Sequence, residues 1–410
     1  MAVVGAGVAG LTAARTLADR GAEVTVLEAG PGVGGRVQAV RLGDGAVDAG
    51  AAHVWTFYAR TRSWLGRLGL EGDLRPVRAG GPSAGPALGD LGGILSCGWD
   101  VARWWRRLAL AYPELAAPLD SESIADYAGR KLRADFVERM LRPNFEWNAF
   151  CGLDEMSRVL LLQSGRLFLG ARPRLLSGGL GRLPAALAAG LELLQGPEGE
   201  VVDLVGSGRG VTVRRRQGRD LGFDAAVVAT LPGQAVRILP WLADADRVVL
   251  SSVRHSTLAR AWWDLPLREG DPEWLLRQRL GSPRLVLAGR SGKWLRVTVA
   301  AYGDGAGAIG DGPAALERLR ALAVELWPEL ARREPVAQAQ VSWERAVTIF
   351  APGHFRGLAR LGPAPLRGRV ALAGDYLVSP TLEGAVISGE QAAERILSLP
   401  ILSPVRSEST

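Results

Sequence analysis

Lysine is nearly missing from this chain of 410 residues: Lys131 and Lys293 are its only two, and arginine supplies the rest of the 49 basic side chains. The formal net charge is +7 and the pI about 10.0, yet no run of five or more basic residues occurs. The RRR at 214–216 sits in an alternating, strand-like segment. A nucleic-acid surface built on a basic cluster is therefore excluded, and an arginine bias of this kind is what a GC-rich coding sequence produces. Cysteine is as scarce. Cys97 and Cys151 stand far apart, which excludes a disulfide framework and fits a reducing cytosol. The three histidines, His53, His255 and His354, are too scattered for a zinc site, and no metal-ligand spacing is present. No run of 18 uncharged apolar residues exists to span a bilayer. The first four residues lead straight into a glycine-rich motif, so no signal peptide is expected. These absences predict a soluble, cytoplasmic protein, attached at most to a membrane surface. With 48% hydrophobic and 22% charged residues the composition is globular, and the length suits two or three domains.

Glycine, at 53 residues, is what the chain has in quantity, and its placement is informative. The apolar run AVV at 2–4 is followed at once by GAGVAG, then by LTAARTLADRG with Leu11, Ala14, Leu17 and Ala18 at helical spacing. EVTVLE at 23–28 alternates like a strand. Strand, glycine turn, helix, strand and acid form the βαβ dinucleotide fingerprint. Gly5 makes the tight turn, Gly7 lets a pyrophosphate approach, and Gly10, beside Ala9, lets helix and strand pack. The helix N-terminus offers free N–H groups to phosphate. Glu28 lies 18 residues after Gly10, where a carboxylate accepts ribose hydroxyls.

An NAD site would be complete at Glu28. Here the chain runs on through Ala29 into PGVGGR, where Gly34 and Gly35 let the backbone pass a bulky group a second time and Arg36 offers charge-assisted bonds to it. That suits the longer FAD. The stretch GAGVAGLTAARTLADRGAEVTVLEAGPGVGGR resembles the opening of the flavin-containing amine oxidase superfamily, which includes amine oxidases, protoporphyrinogen oxidases and phytoene- and squalene-type desaturases. The resemblance implies an α/β fold: a Rossmann-like, discontinuous FAD-binding domain with a mixed α+β substrate domain.

The other end of the chain is similar to the same family. RVALAGDYLVSPTLEGAVISGEQAAERIL at 369–397 reads as a strand, a turn and a helix. By resemblance, Gly374 and Asp375 meet the ribityl–pyrophosphate junction, and Glu383, Gly384 and Ala385 open a helix aimed at the flavin C2 carbonyl. A helix N-terminus favours the charge that reduced flavin gathers there. In the middle, GEVVDLVGSGRGVTVRRRQGRDLGFDAAVVATLP at 199–232 reads as a strand meander and a buried strand. The family match places Val202 on adenine and Ala229, Thr230 and Pro232 near the cofactor, while DAGAAH at 48–53 brings Gly50, Ala51 and Ala52 to the flavin ring. His53, Trp55, Tyr58 and Trp343 are candidate pocket walls, each with an ordinary core or rim position as the plainer alternative.

One cofactor site drawing on both ends and the middle requires a discontinuous domain. We expect residues 1–79, 175–235 and 366–410 to form the FAD domain, and 80–174 with 236–365 the substrate domain. The stretch 81–93 reads as a linker or lid, and the tail from 403 as disordered. No catalytic acid–base constellation is visible, and hydride transfer to flavin N5 need not have one. Many amine oxidases hold a water at N5 with a lysine before a Pro-containing turn. Aligned on Pro266, STLARAWWDLP puts Leu258 or a neighbour there, and no lysine is near. No cysteine follows Cys151, so the C-terminal thioether of some members cannot form and FAD is expected to be non-covalent. These departures favour two-electron dehydrogenation or desaturation of an apolar small molecule. An amine or amino-acid oxidase, and a non-redox isomerase or degenerate FAD-binding protein, are the alternatives. Finally, 94–112 reads as an amphipathic helix, with Ser96, Asp100, Arg103 and Arg107 on one face and Leu95, Ala102, Trp105, Leu108 and Ala109 on the other. It suits peripheral membrane contact or, more plainly, packing on the substrate domain.

Overall fold

A computed structural model describes residues 1–77, 88–167, 170–207, 210–278, 284–307, 309–310, 312–362 and 366–399. The expected tail and residues 81–87 of the expected linker lie outside them. The chain forms two compact units, the first made of Met1–Gly35, Leu183–Ser252 and Leu358–Thr410, the second of Arg36–Arg182 and Val253–Gly357.

The first unit is built on a six-stranded sheet in the order Leu366–Arg367, Val370–Leu372, Ala226–Val228, Ala2–Val4, Thr25–Glu28, Glu192–Gln195. All neighbours run parallel except the edge pair Leu366–Arg367 with Val370–Leu372. The short apolar runs AVV at 2–4, AVV at 226–228 and VAL at 370–372 are wholly buried, as strands covered on both faces must be. In register, Val3 lies between Val26 and Val227. Helix Val8–Ala18 and helix Leu382–Leu397 pack at very short range, because a Cβ on Gly389 would overlap the Ala9 carbonyl. The meander predicted at 199–232 is a three-stranded antiparallel sheet of Val201–Ser207, Gly210–Arg215 and Leu221–Phe223.

The second unit has a five-stranded antiparallel sheet in the order Trp274–Gln278, Arg284–Ser291, Trp294–Tyr302, Leu258–Pro266, Ala337–Trp343. Alternation along Leu258–Pro266 sorts its side chains. Ala259, Ala261, Trp263 and Leu265 pack with Ala315, Leu319 and Ala323 of helix Pro313–Leu326. Leu258 and Trp262 join separate apolar clusters, Leu258 with Phe150 and Tyr302, Trp262 with Leu42 and Val47. Helices between 91 and 167 form a further core around Ile124, Phe136, Leu141 and Met156.

The unit boundaries fall at 35, 182, 252 and 357, where the sequence suggested 79, 174, 235 and 365. The early crossing at Gly35 has a physical reason. Hairpin Ala39–Leu42/Gly45–Asp48 shares a cluster with Trp262 and Trp343, and Val54–Trp55 and Leu74–Pro76 both pair with Pro173–Leu176. Residues 236–252 stay with the first unit, where Trp241 donates its indole N–H to the Leu204 carbonyl at 2.7 Å.

The segment 94–112 also differs from its expected form. One helix, Leu91–Arg103, stops at Trp104 and a short 3-10 turn, Trp105–Leu108, follows. Part of its polar face turns inward: Asp100 takes the Tyr127 hydroxyl and the Lys131 ammonium, and Lys131 also reaches Ser96, while Arg103 and Arg107 stay exposed. That network leaves the i, i+4, i+8 stripe Leu91, Leu95 and Trp99 outside, at 46%, 71% and 70% exposure. Among the described residues no helix is long and apolar enough to cross a membrane.

Candidate functional site

The glycine turn of the first unit is held by backbone geometry that only glycine supplies. Gly5 has φ +102°, and a Cβ on it would lie 2.9 Å from the Ala229 carbonyl oxygen. A Cβ on Gly10 would overlap the Gly5 carbonyl. Gly7 is different. It caps helix Val8–Ala18 with φ −72° and ψ 172°, no side chain caps the helix end, and a Cβ there would meet nothing within 4 Å. The first turn of that helix therefore presents unsatisfied N–H groups beside open space, which is the geometry of an anion site. The second glycine run closes on the first: Gly34 donates to the Ala6 carbonyl at 2.7 Å and bridges Gly7, and a Cβ on Gly35 would sit 3.2 Å from the Gly7 Cα.

Glu28 does something the spacing did not reveal. Its two carboxylate oxygens accept the N–H groups of Ala6 and Gly30, both at 2.7 Å. The acid thus ties the first glycine turn to the second, and each oxygen keeps a lone pair for a further donor. Hydrogen bonds to a charged acceptor contribute about 1.5–3 kcal/mol each. Glu28→Gln would turn an amide N–H₂ toward one of these donors. We expect a loss of ~2 kcal/mol in the stability of the first unit and about tenfold weaker cofactor retention. Unchanged flavin content and thermal midpoint would show that the carboxylate is idle. Ala29, next in the chain, is exposed.

At the C-terminal end, Gly374 donates to the Ser388 hydroxyl at 3.0 Å, and the Asp375 carbonyl receives the N–H groups of Val378 and Ser379. Asp375 and Glu383 are both buried, at 7% and 3% exposure. Thr381 caps helix Leu382–Leu397 by accepting the Gly384 N–H at 3.0 Å. A Cβ on Gly384 would overlap the Ser379 carbonyl, so that glycine is required by the turn itself. Ala385 opens the helix beside it, donating to the Thr381 carbonyl. Ala229 and Pro232 are placed by the sheet, Ala229 donating to Val4 and Pro232 starting helix Pro232–Ile238, with Thr230 between them. Val202 lies on the meander, 45% exposed.

In the second unit, Arg36 donates to the Ala346 carbonyl at 3.4 Å and the Thr348 hydroxyl at 3.3 Å. Its own carbonyl fills the place of a Gly50 Cβ and receives the Ala51 N–H, so Gly50 has an internal reason to be glycine. Ala52 follows, half-buried. Trp343 donates its indole N–H to the Ala49 carbonyl at 3.2 Å. Tyr58 is buried, edge-on to Phe57 with ring centroids 5.0 Å apart, and Trp55 stacks on the same Phe57. His53 keeps exposed surface, but the protein packed around it lowers its pKa by desolvation, and the nearby Arg260 charge acts the same way.

Arg260 is the functional-looking residue that sequence reasoning passed over. It lies two positions beyond Leu258 on the same strand face and is 9% exposed. Trp147, Phe150 and Trp262 surround the guanidinium at 5.5, 5.4 and 5.7 Å. It makes no hydrogen bond or ion pair among the described residues, and its buried Nε has no partner. Burial alone pushes its pKa down to about 10. A desolvated charge without a counter-ion costs several kcal/mol, of which aromatic faces return only part. The available signal was an arginine in the middle of the apolar strand LARAWWDLP.

Leu258 is 3% exposed among apolar neighbours. Both lysines are placed elsewhere, Lys131 on Asp100 and Lys293 exposed over Trp294. Burial pushes the Cys151 thiol up to about 12. No group of three or more metal-ligating side chains occurs among the described residues.

Comparison with known proteins agrees with this geometry. Residues 8–397 match the family described as flavin containing amine oxidoreductase. The carotenoid phi-ring synthase of Streptomyces griseus is 26% identical over 97% of this chain and 87% of its own length. The flavin-dependent L-tryptophan oxidase RebO of Lentzea aerocolonigenes is 42% identical over 80 residues, so the chain matches only 17% of that protein's length. Among solved structures, cyclohexylamine oxidase from Brevibacterium oxydans IH-35A superposes with a TM-score of 0.75 at 21% identity, covering 96% of this chain and 98% of that one. A putative protoporphyrinogen oxidase from Exiguobacterium sp. 255-15 gives 0.73 at 16% identity, covering 96% and 98%. At such identities the superpositions speak for the fold alone. The family match spans nearly the whole chain, and the glycine cradle is intact: this protein belongs to the flavin containing amine oxidoreductase family and is an FAD-dependent oxidoreductase.

Proposed function

We propose that the protein is a dehydrogenase or desaturase of an apolar, unsaturated small molecule. What carries this is the absence of a lysine from the strand Leu258–Pro266, where many amine oxidases use one, with Leu258 buried and both lysines of the chain committed elsewhere. The full-length relative named for carotenoid chemistry supports it.

The residue roles follow from the cradle. Gly5, Gly7, Ala9 and Gly10 with the N-terminus of helix Val8–Ala18 would bind the pyrophosphate, and Gly34, Gly35 and Arg36 would continue its contact. Glu28 would hold the adenosine ribose while fixing the loop, and Val202 would meet the adenine. Asp375 and the capped helix at Glu383–Ala385 would face the ribityl chain and the isoalloxazine C2 carbonyl. Bound FAD supplies the hydride acceptor at N5. The chain's own part is to bind, to orient and to exclude water. It holds the flavin without a covalent link, since neither cysteine lies near the C-terminal motif in sequence and Cys151 is buried as an unreactive thiol. We also propose that the exposed stripe Leu91, Leu95 and Trp99, with Trp105 and Arg103, Arg106 and Arg107 beyond it, rests on an anionic membrane surface.

The test begins with the purified protein. It should be yellow and release intact FAD on heating or in acid. Mixed anaerobically with benzylamine or common amino acids, its flavin should stay oxidised over many turnovers of an amine oxidase. Rapid bleaching by any of them would favour an amine or amino-acid oxidase instead.

A further inference from the structure

Two buried polar groups lie on one face of the five-stranded sheet, and one of them, Arg260, has no counter-ion among the described residues. In the antiparallel register Leu258 lies opposite Tyr302 and Arg260 opposite Ala300, so the side chains of Arg260 and Tyr302 emerge on the same face, one residue pair apart. The Arg260 Nε is buried without a hydrogen-bond partner, and the buried Tyr302 hydroxyl stands by the Glu146 carboxylate without a well-formed bond to it. The rings over them are firmly set. Phe150 has φ +55°, a left-handed backbone that a bulky residue adopts only under constraint, and its ring lies 6.0 Å from that of Tyr302 and 5.7 Å, edge-on, from Trp147. Glu146, the acid nearest Tyr302, is already bound to Arg142, and Asp264, further along the strand, is taken by a two-pronged pair with Arg296. Among the described residues no carboxylate pairs with Arg260.

A guanidinium left without its counter-ion in a dry aromatic setting is a receptor for a planar anion, because its fork matches a carboxylate and its flat face matches rings. We propose that Arg260 receives a carboxylate of the substrate, with the Tyr302 hydroxyl as a second donor and Trp147, Phe150 and Trp262 flanking the flat skeleton next to it. This rests on the dehydrogenase reading and narrows it: the molecule oxidised is a carboxylic acid with an unsaturated or aromatic body, not a pure hydrocarbon. The carboxylate is an anchor and takes no part in the electron transfer.

Calorimetric titration of the flavin-loaded protein with matched pairs decides it: indole-3-acetate against indole-3-ethanol, and retinoate against retinol. In the wild type the acid should bind about tenfold or more tightly than the alcohol in at least one pair, the scale of one charge-assisted contact. Arg260→Met should bring that ratio near one, and Arg260→Lys should keep part of it. Tyr302→Phe should lower it by about threefold. Equal binding of acid and alcohol, a ratio that survives Arg260→Met, or no binding by either pair overturns the proposal. Thermal melts and flavin content of each variant reveal an Arg260 that merely supports the aromatic cluster, since its loss would then lower stability and leave the ratio alone. The redox reading fails separately, by flavin that no substrate reduces while the acid preference stands.

Discussion

Gly7→Val will fold like the wild type and lose its FAD, whereas Gly10→Val will lose the loop as well as the cofactor. Both glycines belong to one motif, and a pattern match treats them alike. Their surroundings do not. Gly7 has an extended backbone that valine adopts freely, and its Cβ would point into space free of protein atoms. Valine at this N-cap position costs at most ~1 kcal/mol. What it does occupy is the approach of the pyrophosphate to the helix N-terminus, so FAD content should fall below about a tenth of the wild-type value, the effect of some 1.4 kcal/mol or more. At Gly10 the added carbon would overlap the Gly5 carbonyl and stand 3.1 Å from the Ala229 Cβ. The first helix and the strand Ala226–Val228 would have to separate, and core overpacking with backbone shift costs about 3 kcal/mol. Visible absorbance measures the flavin, and melts of the flavin-stripped proteins measure the fold. Retained flavin in Gly7→Val, or stripped proteins that melt alike for the two variants, would refute this division of labour.

The same contrast runs through what the sequence disclosed. Elements whose formation is local were legible. The βαβ opening, the meander after 199 and the C-terminal strand and helix follow from periodicity and glycine placement. Features that depend on who meets whom were not. The Glu28 spacing pointed to ribose, but its bonds to Ala6 and Gly30 exist only once two distant turns have come together. Gly389 reads as one more helical residue until the first helix packs on it. Residues 36–79 were grouped with the cofactor motifs by sequence proximity, whereas strand pairing with Pro173–Leu176 and packing on Trp343 draw them into the second unit. Arg260 was hidden by its own strand, because an alternating pattern tells which face a residue takes and not whether a counter-ion waits there.

The helix at Leu91–Arg103 shows that periodicity names two faces without saying which one the fold covers. Its two faces were predicted, but an amphipathic helix ordinarily buries the apolar one. Here Asp100 is claimed by Tyr127 and Lys131 and Val101 is buried, while Leu95 and Trp99 are left about 70% exposed, with Trp105 at 49%. Arg103 and Arg107 lie over Trp104, and Arg166 lies over Trp105 at 4.6 Å. Apolar side chains on such a stripe return about 1.5–3 kcal/mol each when they leave water. Each arginine near an anionic surface adds about 1 kcal/mol within a Debye length. On the proposed membrane reading these contributions would together support binding to anionic vesicles without any spanning helix. The protein should therefore sediment with phosphatidylserine-containing liposomes at low salt and be released as salt rises. Leu95→Ser with Trp99→Ser should abolish sedimentation while flavin content and melting stay unchanged, because neither side chain supports the core. Arg103→Glu with Arg106→Glu should remove the salt-sensitive part alone. Wild-type protein that remains in the supernatant at low salt, or a Leu95→Ser/Trp99→Ser variant that still sediments, would assign this stripe to some other surface.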